Sequence, residues 1–435
     1  MTFSIERPET WQVCATCGNE AVETDPRPRC GTCGGLLEIH HRRPALPRDE
    51  LLLRFTERRG RASTASGVWR FKEIVLPSAV EIVSHPEGNT PLLHRAALDR
   101  WTGVDDLLVK HEGHNPTGSF KDRGMTVGVT QARRIGASAV ACASTGNTAA
   151  SLAAYAAQAG LPALVLVPSD GVALGKLAQS LAYGARTLLV RGDFDDCLRL
   201  VEEASTELGV YLLNSVNPFR LEGQKTIVLE MLQQLGWEPP DWIVLPAGNL
   251  GNTAAFGKAL SEARDWGLID RLPRLAAVQA EGAAPFAHGY ADGFTRRHRV
   301  KAETVATAIR IGDPASWDRA VRAIRETDGV VLTASDAEIL EAKAVVDAVG
   351  VGCEPASAAS VAGTRKLVMS RMAARSDRVV AVLTGHVLKD PGVVLQYHRE
   401  MDPPPPGANR PIEIEPELRE VEKILKSRGA EEQKS

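Results

Sequence analysis

From Asp106 to Gly385 the chain alternates between short runs of apolar residues and longer stretches in which apolar residues recur at helical spacing. The runs are DLLVKHE, SAVACAS, ALVLVPS, ARTLLVRG, VYLLNS, DWIVLPAG, RLAAVQAEG, GVVLTAS and RVVAVLTG; the segment DFDDCLRLVEEASTELG is typical of what separates them. Such repetition predicts parallel α/β sheets with helices on both faces. Roughly nine strands exceed one compact sheet, so two α/β domains are expected. Outside this region the pattern changes. Residues 43–75 are arginine-rich and irregular and read as a linker plus one helix. The proline run at Asp402–Gly407 cannot pack as a helix and reads as a spacer. Beyond it Pro416 opens a short helix with Leu418, Val421, Ile424 and Leu425 on one face, which Gly429 ends.

One stretch inside the alternation carries chemistry. HEGHNPTGSFKDRG, residues 111–124, places Lys121 in a loop of glycine, proline and small polar residues between a buried run and a helical segment. A lysine held there is poorly solvated and close to a helix N-terminus, which favours its neutral, nucleophilic form, as a Schiff-base lysine requires. By itself the segment is read equally well as a surface lysine flanked by Asp122 and Arg123. Two other segments, ASTGNTAAS at 143–151 and LPAGNLGNTAAFG at 245–257, each end an apolar run, turn through Gly and Asn, and enter an alanine-rich helix. Free backbone N–H groups and the helix dipole at such a turn attract anions, here a cofactor phosphate and a substrate carboxylate.

NPTGSFKDRG, STGNTAAS, NSVNPFRLEGQKT, PAGNLGNTAAF, GCEPASAASVAG and LTGHVLKD stand in this order in the threonine synthases, and from about Gly88 to Asp390 the chain resembles that family. The resemblance implies a fold type II pyridoxal 5′-phosphate enzyme with two parallel-sheet α/β domains, a small one at 113–204 inserted into a large one at 43–112 and 205–400, and the cofactor between them. It implies that Lys121 joins the cofactor covalently and moves protons at Cα and Cβ of the substrate. Gly248, Asn249, Leu250, Gly251 and Asn252, with Thr253, would hold the cofactor phosphate, Asn147 the ring hydroxyl and Thr384 the pyridine nitrogen. Ser144, Thr145 and Thr148 would take the substrate α-carboxylate, and Asn214, Ser215 and Arg220 the substrate phosphate. The implied reaction converts O-phospho-L-homoserine and water to L-threonine and phosphate.

Each assignment has a plainer counterpart: an N-cap for Asn147, strand closure for Thr384, a salt bridge to Glu222 for Arg220, and helix capping for Glu354, which the resemblance places near the cofactor. Lys176 and Gln179 face the cleft without assigned roles. His111 and His114 stand where the family is apolar or aromatic, and Val387 stands where it more often has glycine. Alternatives for the whole chain are a threonine or serine dehydratase, a sulfite-using relative of the same fold, or a decayed cofactor-binding or ribbon interaction protein.

The seven cysteines divide four and three. Cys14, Cys17, Cys30 and Cys33 form two C-x-x-C knuckles, each followed by glycine, within an expected ribbon at 10–42. Four thiolates at this spacing suit a structural Zn2+ ion; two disulfides or unmetallated thiols are the alternative. Cys142, Cys197 and Cys353 read as core thiols, and His40 and His41 as exposed. Residues 401–435 complete the division as spacer and helix. A net charge of −3 and a pI near 6.4 give no basic footprint for nucleic acid. The N-terminus lacks a basic start with an apolar stretch, and no apolar run approaches the ~18 residues of a membrane span. A cytoplasmic homodimer acting on a small molecule, with no membrane or nucleic-acid partner, is expected.

Overall fold

The structure is a computed structural model that describes residues 9–59, 65–169 and 174–432, side chains at 174–176 and 427–432 excepted. All nine apolar runs form strands: β5 (Asp106–His111), β6 (Ala139–Ala143), β7 (Ala163–Pro168), β8 (Arg186–Val190), β9 (Val210–Leu212), β10 (Trp242–Pro246), β11 (Arg274–Ala280), β12 (Val330–Ala334) and β13 (Arg378–Leu383). They divide between a six-stranded sheet of order β12-β11-β10-β13-β5-β4 and a four-stranded parallel sheet of order β8-β7-β6-β9. The larger sheet is parallel except at β4 (Leu92–His94), a three-residue edge strand antiparallel to β5 that is too short to register as a pattern.

Successive residues of one strand face opposite cores. Ile243 and Leu245 of β10 join one buried cluster, and Trp242 and Val244 join another across the sheet. Val140 and Cys142 of β6 divide in the same way from Ala139 and Ala141. Both faces of both sheets are thus covered, which is why these strands read as unbroken apolar runs. The smaller sheet takes its fourth strand from β9, so it reaches past the expected boundary at 204.

The chain divides into two compact units, 1–390 and 391–435. In the first, the cysteine segment forms an antiparallel three-stranded sheet of β1 (Thr10–Cys14), β2 (Glu20–Val22) and β3 (Leu37–His41), in the order β2-β1-β3. Residues 43–75 are not a linker in this structure. After the helix Arg48–Arg59, Trp69, Phe71, Ile74 and Val75 are buried in the largest core cluster, and Trp69 Nε1 donates to Thr126 Oγ1 at 2.8 Å. In the second unit the last helix runs Leu418–Glu432, straight through Gly429, because glycine weakens a helix without obliging it to stop. Its Leu418, Val421 and Leu425 are exposed. Among the described residues no helix is long and apolar enough to cross a membrane.

The helices Lys121–Arg134 and Pro218–Gln224 touch backbone to backbone. A Cβ on Gly223 would lie 1.7 Å from the Arg123 carbonyl oxygen, and one on Gly124 would lie 2.8 Å from that of Arg220. Only hydrogen at these positions lets the two helix starts approach, and the approach brings Arg220 to Lys121. Gly223→Ala is expected to cost about 3 kcal/mol or more, since backbone must move. Calorimetric unfolding beside the parent chain measures this.

Candidate active site

The functional side chains lie on loops at the C-terminal ends of β5, β6, β9, β10 and β13, the edge where open α/β sheets place ligands. The Lys121 loop is fixed on two sides. Phe120 N donates to the Thr384 carbonyl at 3.0 Å, and His386 N donates to that of Gly118 at 2.9 Å, joining the loop to the end of β13. On the other side Asp122 accepts from Thr117 N at 2.7 Å, Thr117 Oγ1 at 2.6 Å and Ser151 Oγ at 2.6 Å. Asp122 is fully buried, and burial raises its carboxyl to about 6 against the pull of those donors.

Lys121 is the first residue of its helix and, among the described residues, has no ion-pair partner; its amine lies 4.3 Å from the Phe120 ring centroid. Burial, and secondarily the positive Arg220, lower its pKa from 10.5 to about 7, with Glu354 acting weakly in the other direction. A substantial fraction of this amine is therefore neutral near pH 7, in contrast to a surface lysine.

Arg220 does not pair with Glu222, whose carboxylate is held by His41 at 2.8 Å, Lys225 at 2.6 Å and Lys258. The Arg220 guanidinium is 1% exposed and donates once, from Nη1 to the Leu213 carbonyl at 3.1 Å. Among the described residues its Nε and Nη2 have no partner, and burial lowers its pKa to about 10. A buried cation with two idle donors is costly unless an anion completes it.

The expected phosphate cradle follows β10. Leu250 stands at φ +63° as the N-cap of the helix Gly251–Asp265 and supplies no side-chain cap. A Cβ on Gly248 would sit 2.8 Å from Ile309 Cα. Among the described residues Asn252 Oδ1 and Thr253 Oγ1 are buried without partners, so a hydroxyl donor beside the free N–H groups of a helix start awaits an acceptor. The cofactor phosphate fits this cradle. Asn249, by contrast, is a strut: its Nδ2 donates to Ser215 Oγ at 2.7 Å and its Oδ1 accepts from Ala315 N at 2.6 Å. Asn214 is likewise occupied, exchanging two hydrogen bonds with the Ala143 backbone at 2.9 and 3.0 Å. Those contacts hold the Asn214 amide against the backbone and leave the Ser215 hydroxyl proton and Arg220 open.

After β6, Ser144 Oγ accepts from Gly146 N at 3.2 Å, and Gly146, not Asn147, is the N-cap of the helix Asn147–Ala159. Among the described residues Thr145 and Thr148 are half-buried and free of side-chain hydrogen bonds. Asn147 Nδ2 donates to Glu354 Oε2 at 3.0 Å, and Thr384 Oγ1 reaches Glu354 Oε1 at 3.3 Å and Ser357 Oγ at 3.1 Å. Glu354 does not cap its helix, Pro355–Met369; the side chain crosses to join the two residues expected to face the ring. Burial raises its pKa. Its place before Pro355 suggested a cap, and only the long-range contact to Asn147 reveals otherwise.

His111 is buried, with Nε2 at 2.8 Å from the Gly352 carbonyl, and His114 is exposed with its ring 4.6 Å from that of His111. Gln179 accepts from Lys389 Nζ and donates to the Thr117 carbonyl at 3.3 Å; the Lys176 side chain lies outside the described residues.

The four ribbon sulfurs lie within 4.8 Å of one another, with Cys14–Cys33 at 3.5 Å and Cys17–Cys30 at 3.7 Å. These are close to the roughly 3.8 Å edge of a tetrahedron whose centre is about 2.3 Å from each sulfur. Backbone N–H groups of Thr32 and Cys33 lower the Cys30 thiol to about 6. Cys142, Cys197 and Cys353 are free and buried.

Residues 83–385 match the family model described as "Pyridoxal-phosphate dependent enzyme". The chain is 46% identical to threonine synthase of Methanosarcina acetivorans over 89% of its own length and 94% of the relative's. It is 43% identical to that of Methanocaldococcus jannaschii over 95% and 99%. Among solved structures, threonine synthase from Escherichia coli shares the fold at a TM-score of 0.68, with 19% identity and 94% of each chain covered. Maize serine racemase shares it at 0.63, with 21% identity over 76% of this chain and 95% of the other.

The Lys121 amine of the cofactor-free protein should react with an aldehyde, trapped by borohydride and read by peptide mass spectrometry, with a half-maximal rate near pH 7. Arg220→Met should move that midpoint upward, since a neighbouring cation is removed. A midpoint near 10 in the parent chain would contradict the geometry.

Proposed function

Because the chain belongs to the pyridoxal-phosphate-dependent enzymes, and within them to the threonine synthases, we propose that it converts O-phospho-L-homoserine and water to L-threonine and inorganic phosphate at the Lys121 site. The observation that carries the substrate assignment is Arg220, a buried guanidinium with two unpartnered donors next to the lysine. Bound pyridoxal phosphate supplies an electron sink for electrons released at the substrate Cα. Lys121 would hold it covalently, the Gly248–Thr253 turn its phosphate, and Asn147 and Thr384, tied together by Glu354, its ring.

The protein's own contribution is positioning and proton transfer. Lys121, with a pKa of about 7, takes the proton from Cα and then moves a proton at Cβ. Arg220 binds the substrate phosphate through its idle Nε and Nη2 and stabilises the charge as phosphate leaves Cγ. Cγ takes up the proton lost from Cβ as phosphate leaves, water supplies the hydroxyl at Cβ and its proton to the released phosphate, and Cα regains its proton, which balances the reaction. Ser144, Thr145, Thr148 and the free N–H groups of the Asn147 helix take the α-carboxylate, which sets the Cα proton toward the amine. The four ribbon thiolates would hold Zn2+ as a structural ion, four sulfurs being enough to complete its preferred ligand set.

A dehydratase on the same fold has no phosphate to bind and gives no use to an unpaired buried arginine. Phosphate release from O-phosphohomoserine, compared with keto-acid release from threonine, separates the two readings. Lys121→Ala should lower turnover at least about 10³-fold. Arg220→Ala should raise the KM for O-phosphohomoserine roughly 10- to 100-fold, the worth of charge-assisted hydrogen bonds; an unchanged KM would remove the substrate assignment. Elemental analysis should find one zinc per chain, lost when Cys17 and Cys30 are both serine.

A further inference from the structure

We propose that the cysteine ribbon is a positioning element for Arg220, acting through His41 and Glu222, so that the metal-loaded ribbon sets affinity for the substrate phosphate. The proposal rests on the reading of Arg220 as the ligand of that phosphate.

The helix that carries Arg220, Pro218–Gln224, runs on through Lys225 into the helix Thr226–Gln234, and its orientation is set by what packs on either side of it. Residues two apart on a helix point about 200° from each other. Arg220 therefore faces the Lys121 helix while Glu222 faces the other way, toward the ribbon. On the first side the glycine contacts at Gly124 and Gly223 press the helix against its neighbour. On the second it is braced by β3, the edge strand of the ribbon sheet.

That brace is specific. His41 ends β3, and its side chain is wholly buried, against the expectation of an exposed residue. Its Nδ1 lies 3.0 Å from Thr10 Oγ1 in β1, and its Nε2 lies 2.8 Å from Glu222 Oε2. Lys258 donates both to Glu222 Oε1 and to the Ile39 carbonyl of β3, and Arg319 donates to the Leu37 carbonyl. Leu37 pairs with Cys14 across the sheet, so the anchored end of β3 lies beside a metal ligand. A continuous path of contacts runs from the four thiols along β3 to Glu222 and then over two residues to Arg220. The mechanism of turnover uses none of these groups except Arg220.

The test uses the holoenzyme, with inorganic phosphate as the probe of the Arg220 site. His41→Leu should raise both the KM for O-phosphohomoserine and the calorimetric Kd for phosphate by roughly fivefold or more. It should leave kcat within about twofold and the cofactor absorbance unchanged, a split that simple loss of stability does not produce. His41→Gln, which keeps a donor to Glu222, should restore most of the affinity. Removing zinc with a chelator should reproduce the His41→Leu values, which covers the case in which that variant fails to fold. In an Arg220→Ala background His41→Leu should add nothing, because both act at one point. Normal phosphate binding by Arg220→Ala would overturn the reading beneath the proposal and the proposal with it. Weakened binding there, with unchanged binding in both His41→Leu and the zinc-free enzyme, would overturn the proposal alone.

Discussion

The bidentate pairing of Arg123 with Glu112, shared onward with Glu230, is the constraint that the site depends on. Arg123 Nε and Nη2 reach Glu112 at 2.6 and 2.8 Å, and Nη2 reaches Glu230 at 2.9 Å; all three side chains are fully buried. Glu230 also receives Lys110 at 2.6 Å, Arg70 at 2.7 Å and the backbone N–H groups of Asn89 and Thr90 at 2.8 and 2.9 Å. One carboxylate thus ties together β5, the start of the Lys121 helix, the segment after the ribbon and the loop before β4. Removing any partner would leave a buried charge uncompensated, a loss of several kcal/mol. The network works less as a source of net stability than as a device that admits one arrangement of the loop.

Lys121, Asp122 and Arg123 are consecutive and meet three electrostatic fates. Arg123 has two carboxylates and its pKa is raised. Asp122 has only hydroxyls and a backbone N–H, which do not fully offset burial, so its pKa rises as well. Lys121 is desolvated with no ion-pair partner among the described residues and lies near a second cation, so burial first and Arg220 second make its pKa fall. Because Asp122 and Arg123 lock the helix start, Lys121 can shed its proton without moving. The glycine contact at Gly223 then sets Arg220 close enough to press that proton off. Two neighbouring buried cations, one with idle donors, are an unfavourable pair in the absence of an anion.

Elements set by local pattern were legible in the sequence. Nine apolar runs became strands because burial on both faces demands continuous apolar sequence, and the two C-x-x-C knuckles gathered four sulfurs because turn geometry within each knuckle is local. What escaped depends on partners distant in the chain. Glu354 reads as a helix cap until Asn147, 207 residues away, takes its carboxyl. His41 reads as exposed until Glu222, 181 residues on, buries it. Residues 43–75 read as a linker because their seven arginines interrupt any regular apolar spacing, yet Arg70 is one of the network cations and Trp69 and Phe71 are core. Asn214, Ser215 and Asn249 show the opposite limit. A motif marks them for ligand contact, and the structure engages their side chains with one another and with nearby backbone.

The ribbon illustrates how a small module can be both dependent and useful. Its own buried apolar cluster consists of Cys14, Cys30 and Leu37, far too little to order thirty residues against chain entropy. Metal binding by four thiolates and docking on a larger body are the two contributions available to it. Docking is directed at the exposed edge of β3, whose Leu37 and Ile39 carbonyls would otherwise invite another strand; cations from the body, Arg319 and Lys258, cover them instead. Edge protection by side chains, unlike edge protection by another strand, keeps β3 out of the larger sheets, while Ile39 on the same strand joins the largest core cluster. The ribbon shares Glu222 with the helix that bears Arg220. Coupling between the two then follows from geometry, without any element that must change its fold.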